Sequence, residues 1–468
     1  MRKDELKENP ELIGQFGVGF YSAFMVADHV ALHTQRAGSA EGVLWESKGD
    51  GTYTIEKVPR PEGTGTTVTL HLREMEDADF TQESTIREIV KKYSDFIAHP
   101  VRMKISNKDE TLNSQKALWL RPADEIKEED YTEFYHHLTH DWAKPLKTIH
   151  YKAEGTREFT ALLFIPKTKP WDYHFRNNSY GLSLYVKRVF IMNNCEDLIP
   201  PYLRFMKGLV DSSDLSLNIS REMLQKDRQV GQIRKSLTGK ILNTLREILE
   251  NERSTYEEFW MNFGGTVKEG IAFDPALQEN NQEKLQNLLL FHSTHSEGWT
   301  TLQEYKNRMK PDQKAVYYIS GDSLSRIQNS PYLEQLKTKG LEVLLMTDAV
   351  DEWVTTHLRE YENTPLQSIT QDDLKLDGAD EKPIQNAKFK SLLEVMRKTL
   401  ESHVKDVRIS TRLTESPVCL VSSAQDPSAR MERILKSMGQ DMPQNKRILE
   451  LNADHPLYNK MILLPESL

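Results

Sequence analysis

Two cysteines, Cys195 and Cys419, are too few for a disulfide framework in a chain of 468 residues. Neither belongs to a Cys-x-x-Cys pair, so the usage fits a reducing compartment and inert thiols rather than nucleophiles. A basic surplus is lacking too. Lys and Arg total 61 against 70 Asp and Glu, a net charge of −9, which speaks against a dedicated nucleic-acid binder, because neutralising phosphates needs a basic face. Long hydrophobic runs are missing: the longest charge-free stretch, 12–27, has 16 residues with three glycines and a glutamine among them. A bilayer span needs about 20 mostly apolar residues. The opening residues, Met1 to Glu8, are too charged for a signal peptide, and the Lys-Asp-Glu-Leu at 3–6 stands at the wrong end of the chain for a retention signal. Internal repeats and low-complexity tracts are likewise absent. The expectation is a soluble, cytoplasmic protein with neither a membrane nor a nucleic-acid partner.

What remains is enough apolar material to build cores. Hydrophobic residues make up 38% of the chain, which excludes an intrinsically disordered polypeptide, and about 150 residues per domain predicts roughly three domains. A glycine loop, Gly14-Gln15-Phe16-Gly17-Val18-Gly19, leads into a short apolar helix from Phe20 to Ala27. Strand-like alternation follows at Val30, Leu32 and Thr34, then at Val68, Leu70 and Leu72 after a Gly63-Thr64-Gly65 turn. Ile86, Ile89, Val90, Tyr93, Phe96 and Ile97 share one helical face. The polar run from Ser106 to Ser114 reads as a linker. Beyond it, Leu182, Leu184 and Val186 alternate as a strand, resumed at Val189 and Ile191, and Ile233 to Leu249 carries a helical stripe. Short apolar runs at 315–320 and 341–346 read as buried strands flanked by helices. An acidic stretch, 371–383, reads as a second linker. It is followed by an amphipathic helix from Phe389 to Val404, strands at 407–413 and 418–421, and a stripe of Met431, Ile434, Leu435 and Met438 that Gly439 stops.

The glycines at 14, 17 and 19 allow sharp bends and close approach to a ligand, and the loop feeds a helix start whose free N–H groups favour phosphate. The spacing is neither the dinucleotide fingerprint nor the P-loop, since no lysine follows the last glycine, so on its own the loop reads as a tight packing turn. His136 and His140 have metal-compatible i, i+4 spacing, but no carboxylate completes a ligand set, and a packing role is the better reading. The same holds for Met431 and Met438, whose helical spacing already explains them. Trp171 could offer contact surface to another protein.

Three segments together change this reading. Ile13-Gly14-Gln15-Phe16-Gly17-Val18-Gly19-Phe20-Tyr21-Ser22 resembles the ATP-lid hinge of the 90-kDa heat-shock protein chaperone family. Leu184 to Met192 (LYVKRVFIM) and Asp211 to Gln225 (DSSDLSLNISREMLQ) resemble that family in the same order, and the short linker near Ser106 is similar to its bacterial members. The resemblance implies an ATP-driven, homodimeric clamp that binds and remodels or holds unfolded client proteins, with cochaperones as further partners. The implied fold is α/β and α+β multidomain. A partial ATPase domain of the GHKL-type α/β sandwich would occupy 1–106, a linker 107–114, and a middle domain of αβα layers 115–370. A second linker would follow at 371–387, and a partial α+β dimerisation domain at 388–468.

By resemblance, Gly14, Gln15, Phe16, Gly17, Val18, Gly19 and Phe20 contact the ATP phosphates and anchor the lid, and Thr66 lines the adenine pocket. Arg221 reaches across to the γ-phosphate, flanked by Asn218 and Gln225. A guanidinium suits that role because it is permanently charged and donates in a planar fork. Two departures, Asn193-Asn194 where acidic residues are common and Ser216 in place of a proline, read as tolerable variation. The family's general base, its magnesium-holding asparagine and its adenine-reading aspartate precede the hinge and have no counterpart here, so no residue is assigned to Mg2+. The resemblance therefore leads us to expect a chain cut short at both ends. Its N-terminal piece would expose a sheet edge and apolar surface, and the chain alone would be inactive as an ATPase. On that ground an ATP-independent client-holding module is the alternative. A DNA-linked relative of the same ATPase fold is disfavoured by the acidic balance and by the segment around Arg221.

Overall fold

The computed structural model describes residues 18–75, 79–154, 158–170, 173, 180–215, 228–274, 279–374, 387–440 and 445–462. Within them five sheets are laid down in chain order, each from strands consecutive in sequence. Two short helices, α1 (Val18–Tyr21) and α2 (Ala23–Val26), open the described chain, broken at Ser22 where a single helix over 20–27 was expected. The first sheet is antiparallel, in the order β3-β2-β1-β4, from β1 (Ala27–Gln35), β2 (Gly42–Ser47), β3 (Thr54–Lys57) and β4 (Gly65–Leu72). Among the described residues β4 is an end strand, and its Val68, Leu70 and Leu72 are 47%, 37% and 36% exposed, so this apolar row faces outward.

Helix α3 (Glu83–Ser94) stops before Phe96, which the periodicity placed on the same helical face. Phe96 instead packs edge-on against Trp119, with ring centroids 4.7 Å apart. The polar run read as a linker is a hairpin, β5 (Arg102–Ile105) and β6 (Lys108–Thr111). Its turn residues Ser106 and Asn107 both have positive φ, the geometry that joins two antiparallel strands without splaying them. Arg87 clamps the hairpin to α3 through a two-pronged bond to Glu110 (2.9 and 2.7 Å).

The second sheet has the order β10-β9-β11-β8-β7, from β7 (Lys147–Ala153), β8 (Phe159–Ile165), β9 (Leu182–Val186), β10 (Val189–Cys195) and β11 (Lys207–Ser212), with β11 parallel to β9. All of β8 is buried because both of its faces are covered. Ala161, Leu163 and Ile165 join the cluster under α5 (Arg228–Asn251) and α6 (Arg253–Phe273), while Leu162 and Phe164 face Trp119 and Tyr135, the latter on α4 (Glu128–Thr139). The stripe on α5 behaves as its period predicts, with Leu237, Ile241 and Leu245 fully buried.

After α7 (Glu279–Gln286), a six-stranded sheet runs β13-β12-β15-β14-β17-β16, from β12 (Leu290–Ser293), β13 (Trp299–Thr301), β14 (Val316–Ser320), β15 (Leu344–Met346), β16 (Glu360–Tyr361) and β17 (Thr364–Ser368). Its helices are α8 (Leu302–Arg308), α9 (Leu324–Gln328), α10 (Glu334–Thr338) and α11 (Asp351–His357). The last sheet, β18-β20-β19, is built from β18 (Val404–Ile409), β19 (Val418–Val421) and β20 (Arg447–Leu451). It is accompanied by α12 (Ala387–Thr399), α13 (Ala429–Ser437) and α14 (Pro456–Met461). Gly439, at φ 80°, follows α13 as the sequence suggested, but Met438 is 64% exposed and takes no part in a core. His136 lies 5.6 Å from the ring of Trp142, and His140 ends α4 in the left-handed conformation.

Candidate functional site

Gly14, Gln15, Phe16 and Gly17 lie outside the described residues, which begin where the glycine loop becomes helical at Val18. The Ser22 hydroxyl donates to the Gly19 carbonyl at 2.6 Å and so closes the short turn. The Phe20 ring then meets Trp45 of β2 edge-on, 5.4 Å between centroids. Trp45 stands opposite Leu32, and Leu32 opposite Val68, while Thr34, two residues further along β1, stands opposite Thr66. Side chains two apart on a strand share a face. The register therefore sets Phe20 and Thr66 on one face of the first sheet, in adjacent side-chain rows. The Thr66 hydroxyl shares a 2.8 Å hydrogen bond with Thr34 and is open to solvent on the end strand. Such a hydroxyl can donate or accept one further bond.

Asn218, Arg221 and Gln225 also fall outside the described residues, as does Trp171, but the frame on either side of 216–227 is well defined. The chain enters from β11 and leaves into α5. At the exit of β11 the Asp211 carboxylate is buried and accepts from the Trp119 indole N–H (2.8 Å) and from the Arg188 backbone N–H (3.2 Å). Burial raises its pKa, opposed by those hydrogen bonds. The Ser212 hydroxyl accepts from the N–H groups of Asp214 (3.3 Å) and Leu215 (3.4 Å), and Asp214 in turn accepts from the Glu158 N–H (3.0 Å). Leu215 is buried.

The tight turn between β9 and β10 puts Lys187 and Arg188 at φ 51° and 66°, a conformation that costs about 1–2 kcal/mol per non-glycine residue. Both turn N–H groups are tied to β11, Lys187 to the Ser212 carbonyl (3.2 Å) and Arg188 to Asp211. Sequence reasoning singled out both segments but not the Trp119 that joins them. Its signal, an indole needing a buried acceptor, is 92 residues away from Asp211.

A second buried polar centre went unread as well. Lys268, on α6, is almost fully buried and pairs with Asp348 (2.8 Å) and Asp351 (2.7 Å), with the Phe291 ring 4.7 Å away. Burial works against its ammonium, yet the two carboxylates outweigh that and raise its pKa. Among the described residues no group of three or more His, Cys, Asp or Glu could hold a metal ion, and no helix is long and apolar enough to cross a membrane.

Comparison with known proteins places these elements. The Hsp90 protein family model matches residues 103–465. Chaperone protein HtpG of Bdellovibrio bacteriovorus is 59% identical over 471 residues, covering 98% of this chain and 75% of that protein. Chaperone protein HtpG of Geobacter metallireducens is 48% identical, covering 98% of this chain and 75% of the relative. The protein of the same name from Mycobacterium avium is 49% identical, at 96% and 72%.

Proposed function

The chain belongs to the Hsp90 protein family, and from that premise we propose that it is a chaperone of the HtpG type, which binds non-native client proteins and couples their handling to ATP hydrolysis. The observation that carries this reading is the 59% identity to an HtpG chaperone over 98% of the chain. In the proposed mechanism the loop from Gly14 to Phe20 meets the ATP phosphates and moves with the lid, and Thr66 faces the adenine pocket. Arg221 donates to the γ-phosphoryl oxygens as charge develops on them, with Asn218 and Gln225 holding its surroundings. Two features support such a role. The bonded end of β11 gives the segment carrying Arg221 a fixed origin, and the register of the first sheet sets Phe20 and Thr66 on one face. Because the hinge leads into the first sheet and the arginine's segment follows β11 of the second, hydrolysis would wait on the approach of the two, so that nucleotide state and client state are coupled. We further propose a homodimeric, cytoplasmic protein, assisted by cochaperones, whose ATP carries Mg2+; no described residue is assigned to the metal.

The test is ATP turnover by the protein and by its Arg221→Ala form, alongside suppression of a model client's aggregation with and without ATP. Arg221→Ala should lower turnover about tenfold or more, the ~1.4 kcal/mol or greater of one lost transition-state contact, and leave nucleotide binding in place. Unchanged turnover removes Arg221 from the mechanism. Equal protection of the client with and without ATP would make the protein a holding module instead.

A further inference from the structure

A cleft of about 430 Å³ opens between the six-stranded sheet and the three-stranded sheet that follows it. Its volume is that of a small-molecule site, and its lining is unusual for a chain of net charge −9. Four arginines contribute to the walls, Arg326 of α9, Arg430 and Arg433 of α13 and Arg447 of β20, against one carboxylate, Asp322. That carboxylate is shared. Arg433 approaches it at 2.9 and 3.4 Å and the Arg430 Nε at 3.6 Å. Arg430 is also tethered to the Thr347 carbonyl (2.6 Å), which fixes its guanidinium at the wall. Arg447 donates to the Ser422 hydroxyl (2.9 Å) and forms an ion pair with Glu432 (2.6 Å), and Glu352, behind the wall, accepts from Ser428 (2.6 Å). Arg326 is exposed and has no partner among the described residues.

We propose that this cleft binds a small phosphate-bearing anion. Asp322 occupies the position that a phosphoryl group would take. A carboxylate offers one charge and two oxygens to Arg430 and Arg433. A phosphoryl group offers more charge and three oxygens, enough to engage both and to recruit Arg326, which the carboxylate leaves unpaired. Asp322 is thus a built-in competitor that keeps the arginines in position while the site is empty. The ligand's contacts come from both sides of the cleft: Arg326 belongs to the six-stranded sheet's helices, Arg430 and Arg433 to the unit of the three-stranded sheet. Binding therefore ties the two units together and stabilises their junction by mass action. This site is independent of the nucleotide reading above.

The experiment is calorimetric titration of the protein with inorganic pyrophosphate, and separately with inorganic phosphate, at low and at moderate salt. Two single substitutions at exposed positions accompany it, Arg326→Gln and Asp322→Asn, each checked for an unchanged circular dichroism spectrum. Saturable binding is expected, tighter for pyrophosphate and weaker at the higher salt. Arg326→Gln should weaken it by about threefold to tenfold, and Asp322→Asn should tighten it by a similar factor. The opposite signs matter, because an ion held at another phosphate site of the protein would respond to neither substitution. Absence of saturable binding, or binding that neither substitution moves, overturns the proposal.

Discussion

Replacing Glu334 should loosen the junction between the six-stranded and three-stranded sheets. This residue opens α10, and its carboxylate accepts from three successive backbone N–H groups of the loop between β18 and β19: Thr414 (2.7 Å), Glu415 (2.8 Å) and Ser416 (3.0 Å). The Ser416 hydroxyl donates to it as well. Consecutive N–H groups converging on one anion form a nest, and a bond to a charged acceptor contributes about 1.5–3 kcal/mol when buried. Glu334 is only half-buried, so solvent competes and the bonds do not add. A reasonable total is ~2–3 kcal/mol for Glu334→Ala and ~1 kcal/mol for Glu334→Gln, which keeps one acceptor oxygen.

The effect has a defined pH dependence. Burial pushes the Glu334 carboxyl up, but the bonds from Ser416, Glu415 and Thr414 outweigh it and hold the group below its ordinary 4.5. A carboxylate whose pKa is lowered by folding contributes fully above its unfolded value and loses that contribution as pH falls through the folded one. The gap between wild type and Glu334→Gln should accordingly be constant near pH 7 and shrink below about pH 4.5. Amide hydrogen exchange reads the contact directly. At pH 7 the Thr414, Glu415 and Ser416 amides of Glu334→Ala should exchange about 30- to 150-fold faster, the factor that 2–3 kcal/mol of lost protection gives. Unaltered exchange of those three amides at pH 7 would refute the reasoning, whatever happens to the global melting temperature.

Glu450→Ala should cost about 3–5 kcal/mol and unfold the three-stranded sheet before the rest, because it strands the buried guanidinium of Arg412, paired with it at 2.9 Å, and also releases Arg408 at 2.7 Å; a separate, earlier calorimetric transition is the readout. Cys419 is pushed up to about 12, by burial first and then by the Glu450 carboxylate. It should resist iodoacetamide at pH 8 in the native protein and react once unfolded, which mass spectrometry checks. Gly208→Ala should destabilise the second sheet by several kcal/mol, since a Cβ there would meet the Leu162 carbonyl at 2.2 Å on a backbone of φ +136°. Loss of less than about 1 kcal/mol in urea unfolding would contradict that geometry.

The elements that announced themselves in the sequence are those whose apolar residues repeat with one period. The α5 stripe and the β9 alternation are of this kind, and so is the glycine that ends α13. The hairpin β5–β6 gave no such signal. Strand β6 is polar on both faces, β5 offers only Met103 and Ile105, too few to set a period, and the turn uses Ser106 and Asn107 in a left-handed conformation where glycine would have been conspicuous. Arg412 and Glu450 were unreadable for a different reason. Charged residues 38 apart look like solvated surface until two strands and a loop enclose them. Lys268 is the same case on a helix, since nothing in Val267-Lys268-Glu269 says that this lysine turns inward. At the candidate site the glycine hinge and the segment around Arg221 were legible as patterns. The partner that anchors the second of them was not, because the Trp119–Asp211 bond is a product of the fold.

That bond also explains why a strained turn and a buried carboxylate are placed together at the end of β11. Two left-handed residues, Lys187 and Arg188, would cost about 2–4 kcal/mol if nothing held them, and a buried aspartate without donors would cost at least as much. Here each offsets the other. The turn supplies an N–H to Asp211, Asp211 fixes the turn, and Trp119 satisfies the second carboxylate oxygen while filling the core beside Phe96 and Tyr185. Removing Asp211 takes the acceptor from both the Trp119 indole and the Arg188 N–H, so substitutions at these positions are coupled through it and their losses should not add. The chain leaves this platform at Leu215, itself buried, so the core holds the start of the segment that, in the proposed mechanism, carries Arg221.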